Sequence, residues 1–108
     1  MKVGIIGCGF IGSELAKFLD KNNNFILIGV NATDRNKANS LIRILKNNKS
    51  KFMKLDELIR KSELIIESAA KNIVTDILKN KNLDKKNKKL LIMSTGGLIN
   101  NLNTLNRI

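Results

Sequence analysis

With 108 residues, 43% of them hydrophobic, the chain has material for one core and one domain at most, and is small for a complete enzyme. Its net charge of +11 and pI near 10.1 suit an anionic partner. The lysines are spread along the chain, however, and without Trp or Tyr a base-stacking surface is poorly supplied, which argues against nucleic acid and for a solvated basic surface. One cysteine and no histidine leave no internal disulfide and little basis for a metal site, as expected in a reducing cytoplasm. No apolar run approaches the ~20 residues that span a bilayer, and the first residues lack a signal-peptide pattern, so no membrane segment is expected.

In chain order, "KVGIIG" is a short continuous apolar run ending in glycine, the pattern of a strand buried on both faces. "SELAKFLD" follows at helical spacing, with Ile11, Leu15, Phe18 and Leu19 expected on its inner face. Asn22–Asn24 is a turn, and Phe25–Val30 a second buried strand. Asp34 is placed to cap a helix running to about Lys46, with Ala38, Leu41, Ile42 and Leu45 on one face. Lys51–Met53 predicts a short third strand, and "LDELIRKS" a helix with Asp56 and Glu57 near its positive end. Glu63–Ser68 is a fourth strand, and Ile73, Val74, Ile77 and Leu78 mark a further helix. A lysine-rich connection leads to a fifth strand, Leu90–Ser94. Leu98, Leu102 and Leu105 then fall on one helical stripe, which should want a partner, either a second copy or another chain.

Strands alternating with helices predict an α/β fold, a doubly wound parallel sheet of about five strands in the order 3-2-1-4-5 over the single domain 1–108. Such domains usually carry a sixth strand. The closing helix should lead into one, so the chain reads as cut short, without a catalytic domain.

Gly7, Gly9 and Gly12 form G-x-G-x-x-G directly after strand one and at the start of helix one. Gly7 permits the tight turn, Gly9 lets the backbone approach a pyrophosphate, and Gly12 allows close helix packing. The free N–H groups at the helix start, at Phe10 and Ile11, favour an anion. The alternative is that the glycines merely build a strand-to-helix turn. Cys8 reads as a small packing residue in that loop. An acidic residue that binds the adenosine ribose falls ~20 residues further on, but Asn31 and Ala32 occupy that position. Asp34 comes slightly late, and serves either the ribose or the helix cap. With Arg35 beside it, the loop should tolerate a 2′-phosphate, so that NADP binds comparably to NAD. Glu67, Ser68, Ala69 and Ala70 end strand four on the sheet's carboxyl edge, and Ser94, Thr95, Gly96 and Gly97 end strand five there. Small residues in both loops leave room for a cofactor.

"KVGIIGCGFIGSELAKFLD", "LIIESAAKNIVTDIL" and "LLIMSTGGL" are similar, in order and spacing, to the amino-terminal domain of L-aspartate dehydrogenases. That family shows G-x-G-x-I-G, an E-A-A-S-like segment opening a helix, and S-[TV]-G-A-L-like residues after strand five. The intervening "NATDRNKANSLIRILKNNKSKF" matches loosely. Ala32 or the displaced Asp34 stands for the family's ribose-binding aspartate, and Ser68 and Gly97 replace alanines. The resemblance implies NAD(P)-dependent oxidation of L-aspartate to iminoaspartate, a step feeding NAD biosynthesis. It also implies a second domain with a catalytic histidine and the substrate contacts. This chain contains no histidine and no evident catalytic residue, so it is expected to hold the cofactor and to be inactive alone. The other reading is a stand-alone dinucleotide-binding module or sensor subunit.

Overall fold

The computed structural model describes residues 1–47, 49–69, 71–85 and 87–94, with the backbone alone at Lys71. Five parallel strands, β1 (Lys2–Ile6), β2 (Ile26–Asn31), β3 (Lys51–Phe52), β4 (Leu64–Glu67) and β5 (Lys89–Ile92), lie in the order β3-β2-β1-β4-β5. Four helices join them: α1 (Phe10–Lys21), α2 (Arg35–Ile44), α3 (Leu55–Lys61) and α4 (Lys71–Lys79). This is the doubly wound order that the alternation of patterns predicts. The expected helix over Leu98–Leu105 lies outside the described residues.

The period-two alternation of β1 divides the core between the sheet's faces. Val3 and Ile5 pack with Ala16 and Leu19 of α1 and Ala38 and Leu41 of α2. Ile6 packs on the opposite face with Leu58 and Ile59 of α3 and Val74, Ile77 and Leu78 of α4. Because β1 is paired with β2 on one side and β4 on the other, the direction of winding reverses beside it. The turns after β1, β2 and β4 therefore open at one edge, around the point of reversal.

Local chemistry sets the boundaries. At the end of α1 the Asn22 carbonyl accepts from the Phe25 N–H, and the Asn22 side chain accepts from the Asn24 N–H, so β2 begins one residue later than the apolar run. It continues through Asn31, whose carbonyl accepts from the Gly7 N–H at 2.7 Å. Helix α2 stops at Ile44 rather than Lys46, because the Asp20 carboxylate takes the N–H groups of Lys46 and Asn47. Met53 is buried beyond the end of β3. The lysine-rich connection contains a 3-10 turn, Lys81–Asp84, which the sequence reading did not anticipate; Asn80 caps it and the buried Leu83 anchors it.

Helix α1 corrects the expected inner face. Gly12, Ala16 and Leu19 face the sheet, whereas Ile11 is 52% and Phe18 59% exposed. The reason is steric. Gly12 brings the helix so close to the turn below that a Cβ there would meet the Gly7 carbonyl oxygen and the Ser68 hydroxyl. That contact sets the rotation of the helix and turns Ile11 and Phe18 outward, while Leu15 and Leu19 pack against the core as expected. Leu19→Ala is therefore expected to cost about 2–4 kcal/mol of unfolding free energy. Phe18→Ala should change it by less than about 0.5 kcal/mol. Urea denaturation followed by circular dichroism measures both.

Candidate functional site

Strand β1 ends at Ile6, and the chain turns through Gly7 at φ +107°, a conformation that side chains strongly disfavour. A Cβ there would also stand 2.8 Å from the Ala69 nitrogen. Gly7 is thus required by the fold. Ser68 secures the same junction: its N–H donates to the Ile6 carbonyl at 2.8 Å, and its hydroxyl lies 3.2 Å from that oxygen and 3.3 Å from the Gly7 carbonyl oxygen.

Gly9 differs. Its backbone is extended, at φ −71° and ψ −167°, and a Cβ would meet nothing within 4 Å. Neither local conformation nor packing requires glycine here. Gly9 caps α1 without any side-chain hydrogen bond, and the first turn holds no acidic residue. The helix therefore presents its first N–H groups and positive dipole end uncompensated to the space above Gly9.

That space is part of an open cavity of about 400 Å³ along the sheet's carboxyl edge. The turn after β1 contributes Gly7, Cys8 and Gly9. The end of β2 contributes Asn31, Ala32, Thr33 and Asp34, with Lys37 from α2, and the far wall is Ser68, Ala69, Asn72 and Ile73. Asn31 is held by its side-chain N–H₂, which donates to the Met53 carbonyl at 2.8 Å. Asp34 accepts the Asn36 N–H on Oδ1 at 2.9 Å, so it caps α2 and also lines the cavity. Burial pushes the Cys8 thiol above its ordinary pKa, with Lys37 pulling the other way. Cys8 packs against the core and stays a thiol at neutral pH, the packing residue its sequence context suggested.

Of the residues that the sequence singles out, Gly7, Gly9, Asp34, Ser68 and Ala69 come together around this cavity. Gly12 supports it from below. Phe10 is 83% exposed and, like Ile11, is not among the lining residues. Arg35 is directed elsewhere: its guanidinium carbon sits 4.8 Å from the centre of the Phe52 ring, a cation–π contact. Among the described side chains the cation at the cavity is Lys37 instead, three residues beyond Asp34 and so on the same helical face. That spacing makes Lys37 a candidate, but nothing along the chain sets it above Arg35. Ser94 reaches the wall only through Glu67, and Ala70, Thr95 and Gly96 lie outside the described residues. No group of three or more His, Cys, Asp or Glu that could hold a metal occurs among the described residues. No helix among them is long and apolar enough to cross a membrane.

A doubly wound parallel sheet, with a glycine-opened and uncapped helix at its point of reversal, defines a dinucleotide-binding domain. The family described as "Homoserine dehydrogenase, NAD binding domain" matches residues 7–108. L-aspartate dehydrogenase of Methanosarcina acetivorans is 40% identical over 79 residues, which are 72% of this chain and 29% of that protein. The enzyme of the same name from Methanosarcina barkeri is 30% identical over 99 residues, 91% of this chain and 36% of that protein. The chain therefore belongs to this NAD-binding domain family, and matches the amino-terminal region of L-aspartate dehydrogenases. It spans about a third of the length of these relatives. Among solved structures, myo-inositol dehydrogenase from Lactobacillus casei, in complex with NAD(H) and myo-inositol, superposes with a TM-score of 0.77 at 16% identity. That match covers 100% of this chain and 34% of the other. Pyrroline carboxylate reductase of Plasmodium falciparum, with NADP bound, gives 0.64 at 22% identity, covering 93% and 37%. These likenesses show the fold.

The two glycines should separate in a stability measurement. Gly7→Ala, strained and in contact with backbone, is expected to cost about 2 kcal/mol or more. Gly9→Val, which meets no clash but puts a poor capping residue at the N-cap, should cost less, within about 1 kcal/mol of the wild type in urea denaturation.

Proposed function

We propose that the chain is the cofactor-holding part of an NAD(P)-dependent L-aspartate dehydrogenase, which oxidises L-aspartate to iminoaspartate in the supply of NAD. Gly9 carries this reading. It is a glycine that the fold does not need, placed where a pyrophosphate would approach the uncompensated start of α1. The sequence similarity to L-aspartate dehydrogenases supports the choice of substrate.

A bound nicotinamide would supply the hydride acceptor for oxidation at the substrate Cα. The residues of this chain bind and orient. The turn Gly7–Gly9 would receive the pyrophosphate, Asn31–Asp34 with Lys37 the adenosine end, and Ser68–Ala69 the side toward the reacting ring, all of them residues that line the cavity. Oxidation of the amine also requires a base to take a proton. The chain has no histidine, and the buried Glu67 is committed to backbone and hydroxyl donors. The base and the substrate contacts accordingly belong to a further domain or partner chain, and this segment alone is inactive. Exposed apolar side chains on α1 (Ile11, Phe18) and β5 (Leu91) support an association of this kind or self-association. The cytoplasm, where the thiol of Cys8 stays reduced, is the matching location.

The test is direct binding and turnover. The chain 1–108 is expected to enhance NADH fluorescence saturably, to show no turnover with L-aspartate and NAD, and to lose NADH binding in Gly9→Val. Unchanged affinity in that variant would overturn the assignment of the loop, and turnover by 1–108 would overturn the division of labour. A stand-alone sensor module would bind NADH equally well but gain no activity when combined with the remainder of a homologous dehydrogenase.

The adenosine end yields a second expectation. Lys37 supplies a cation, and Asp34 already spends one carboxylate oxygen on its helix cap. NADP should therefore bind at least comparably to NAD, and Lys37→Ala should weaken NADPH by roughly tenfold while affecting NADH little, the size of one charge-assisted hydrogen bond. Parallel fluorescence titrations with NADH and NADPH decide this, and a large preference of the wild type for NADH would refute it.

A further inference from the structure

Glu67 closes β4, on the β5 side of the glycine turn, and no part of it meets solvent. Its carboxylate collects three donors. Oε2 accepts from the Ala69 N–H at 2.8 Å and from the Ser94 hydroxyl at 3.0 Å, while Oε1 accepts from the Ser94 N–H at 3.1 Å. Ala69 lines the cavity, and Ser94 follows β5, so one side chain fastens the loops after two strands together. In all three bonds the oxygens act as acceptors, as those of a carboxylate do. The ion pairs among the described residues join Glu14 to Lys17, and Glu57 to Lys51 and Lys61; none of them includes Glu67.

Fastening two loops does not by itself call for a charge. A neutral acceptor would do so with a smaller desolvation cost. A buried carboxylate that forms no ion pair among the described residues also projects its field, because little water lies near to screen it. What lies in that field follows from the direction of the cavity. Lys37 and Asn31–Asp34 mark the adenosine end on the β2 side, and Gly7–Gly9 the pyrophosphate. The other half of a dinucleotide must then run past Ser68 and Ala69 toward the ends of β4 and β5, the side that holds Glu67. The nicotinamide ring there is cationic when oxidised and neutral when reduced.

We propose that Glu67 is a positioning residue for the nicotinamide half: through Ala69 and Ser94 it holds the two loops, and its buried charge makes the site favour the oxidised over the reduced cofactor. This rests on the dinucleotide reading given above. It adds a redox-state preference that loop geometry alone does not confer, since a purely structural latch would act equally on both forms.

The experiment measures dissociation constants of 1–108 for NAD⁺ and NADH by calorimetry, in the wild type, Glu67→Gln and Glu67→Asp. A unit charge ~10 Å from the ring at an effective dielectric constant of ~20 alters binding by roughly tenfold. Glu67→Gln should therefore weaken NAD⁺ relative to NADH by about that factor. Glu67→Asp keeps the charge but shortens its reach, so both affinities should fall while their ratio stays near the wild-type value. An equal loss of both ligands in Glu67→Gln, or an unchanged ratio, overturns the proposal while leaving the dinucleotide reading intact. Failure of the wild type to bind either form overturns both. Should circular dichroism show that neither variant folds, the wild type decides alone: NAD⁺ bound at least as tightly as NADH supports the proposal, and a preference for NADH beyond about tenfold refutes it.

Discussion

Everything at the carboxyl edge of this sheet depends on a junction where three segments of backbone meet around the small side chain of Ser68. Gly7 turns the chain at φ +107°, Gly12 brings α1 down onto the Gly7 carbonyl, and the backbone of Ser68 and Ala69 presses against the same turn from β4. The Ser68 hydroxyl, within hydrogen-bonding distance of two of the carbonyls, ties the contact together. Close packing leaves little freedom in such a junction. It sets the rotation of α1, and with it which residues reach the core, where the positive end of the helix points, and where the cavity floor lies. The outward turn of Phe18 and the opening above Gly9 are two results of one steric constraint.

The site built on that junction is electrically asymmetric. Its middle is the uncompensated N-terminus of α1. One end carries the amine of Lys37, next to the half-engaged carboxylate of Asp34. The other is backed by the buried carboxylate of Glu67. A dinucleotide has a matching order of needs: a 2′-hydroxyl or 2′-phosphate at one end, two phosphates in the middle, and a ring whose charge changes in the reaction at the other. Hydrogen bonds fix this arrangement in place. Asn31 is tied to Met53, Gly7 to Asn31, and Glu67 to both Ala69 and Ser94, so that the ends of all the strands around the point of reversal are linked laterally.

Much of the fold was legible in the residues, for reasons that can be named. Strands buried on both faces read as unbroken apolar runs, as in β1, β2 and β4, and the edge strand β5 has such a run although Leu91 is exposed. The turn chemistry of Asn22–Asn24 and the capping position of Asp34 are local and carry over directly. The departures were contests between local and distant groups. Lys46 has a helical neighbourhood, but its N–H is taken by Asp20 from another helix. The 3-10 turn at Lys81–Asp84 is concealed in a lysine-rich stretch, and forms because Asn80 caps it and Leu83 finds the core. Within the site, the glycine spacing marked the turn that lines the cavity at the start of α1. Which cation faces the cavity was not legible: Arg35 and Lys37 both follow Asp34 closely, and only the placement of Phe52 draws Arg35 away.

The sequence by itself determined the order of elements, the two-faced core and the place of the glycine turn, because those follow from periodicity and from properties of single residues. The tertiary structure alone decided three things: that Gly7 and Gly12 serve packing while Gly9 faces open space, that Lys37 rather than Arg35 meets the cavity, and that Glu67 joins two loops from beneath the surface. In each case the outcome depends on what a residue meets across the sheet rather than along the chain. No spacing in one dimension encodes whether a missing side chain leaves room for a neighbouring strand or for a ligand.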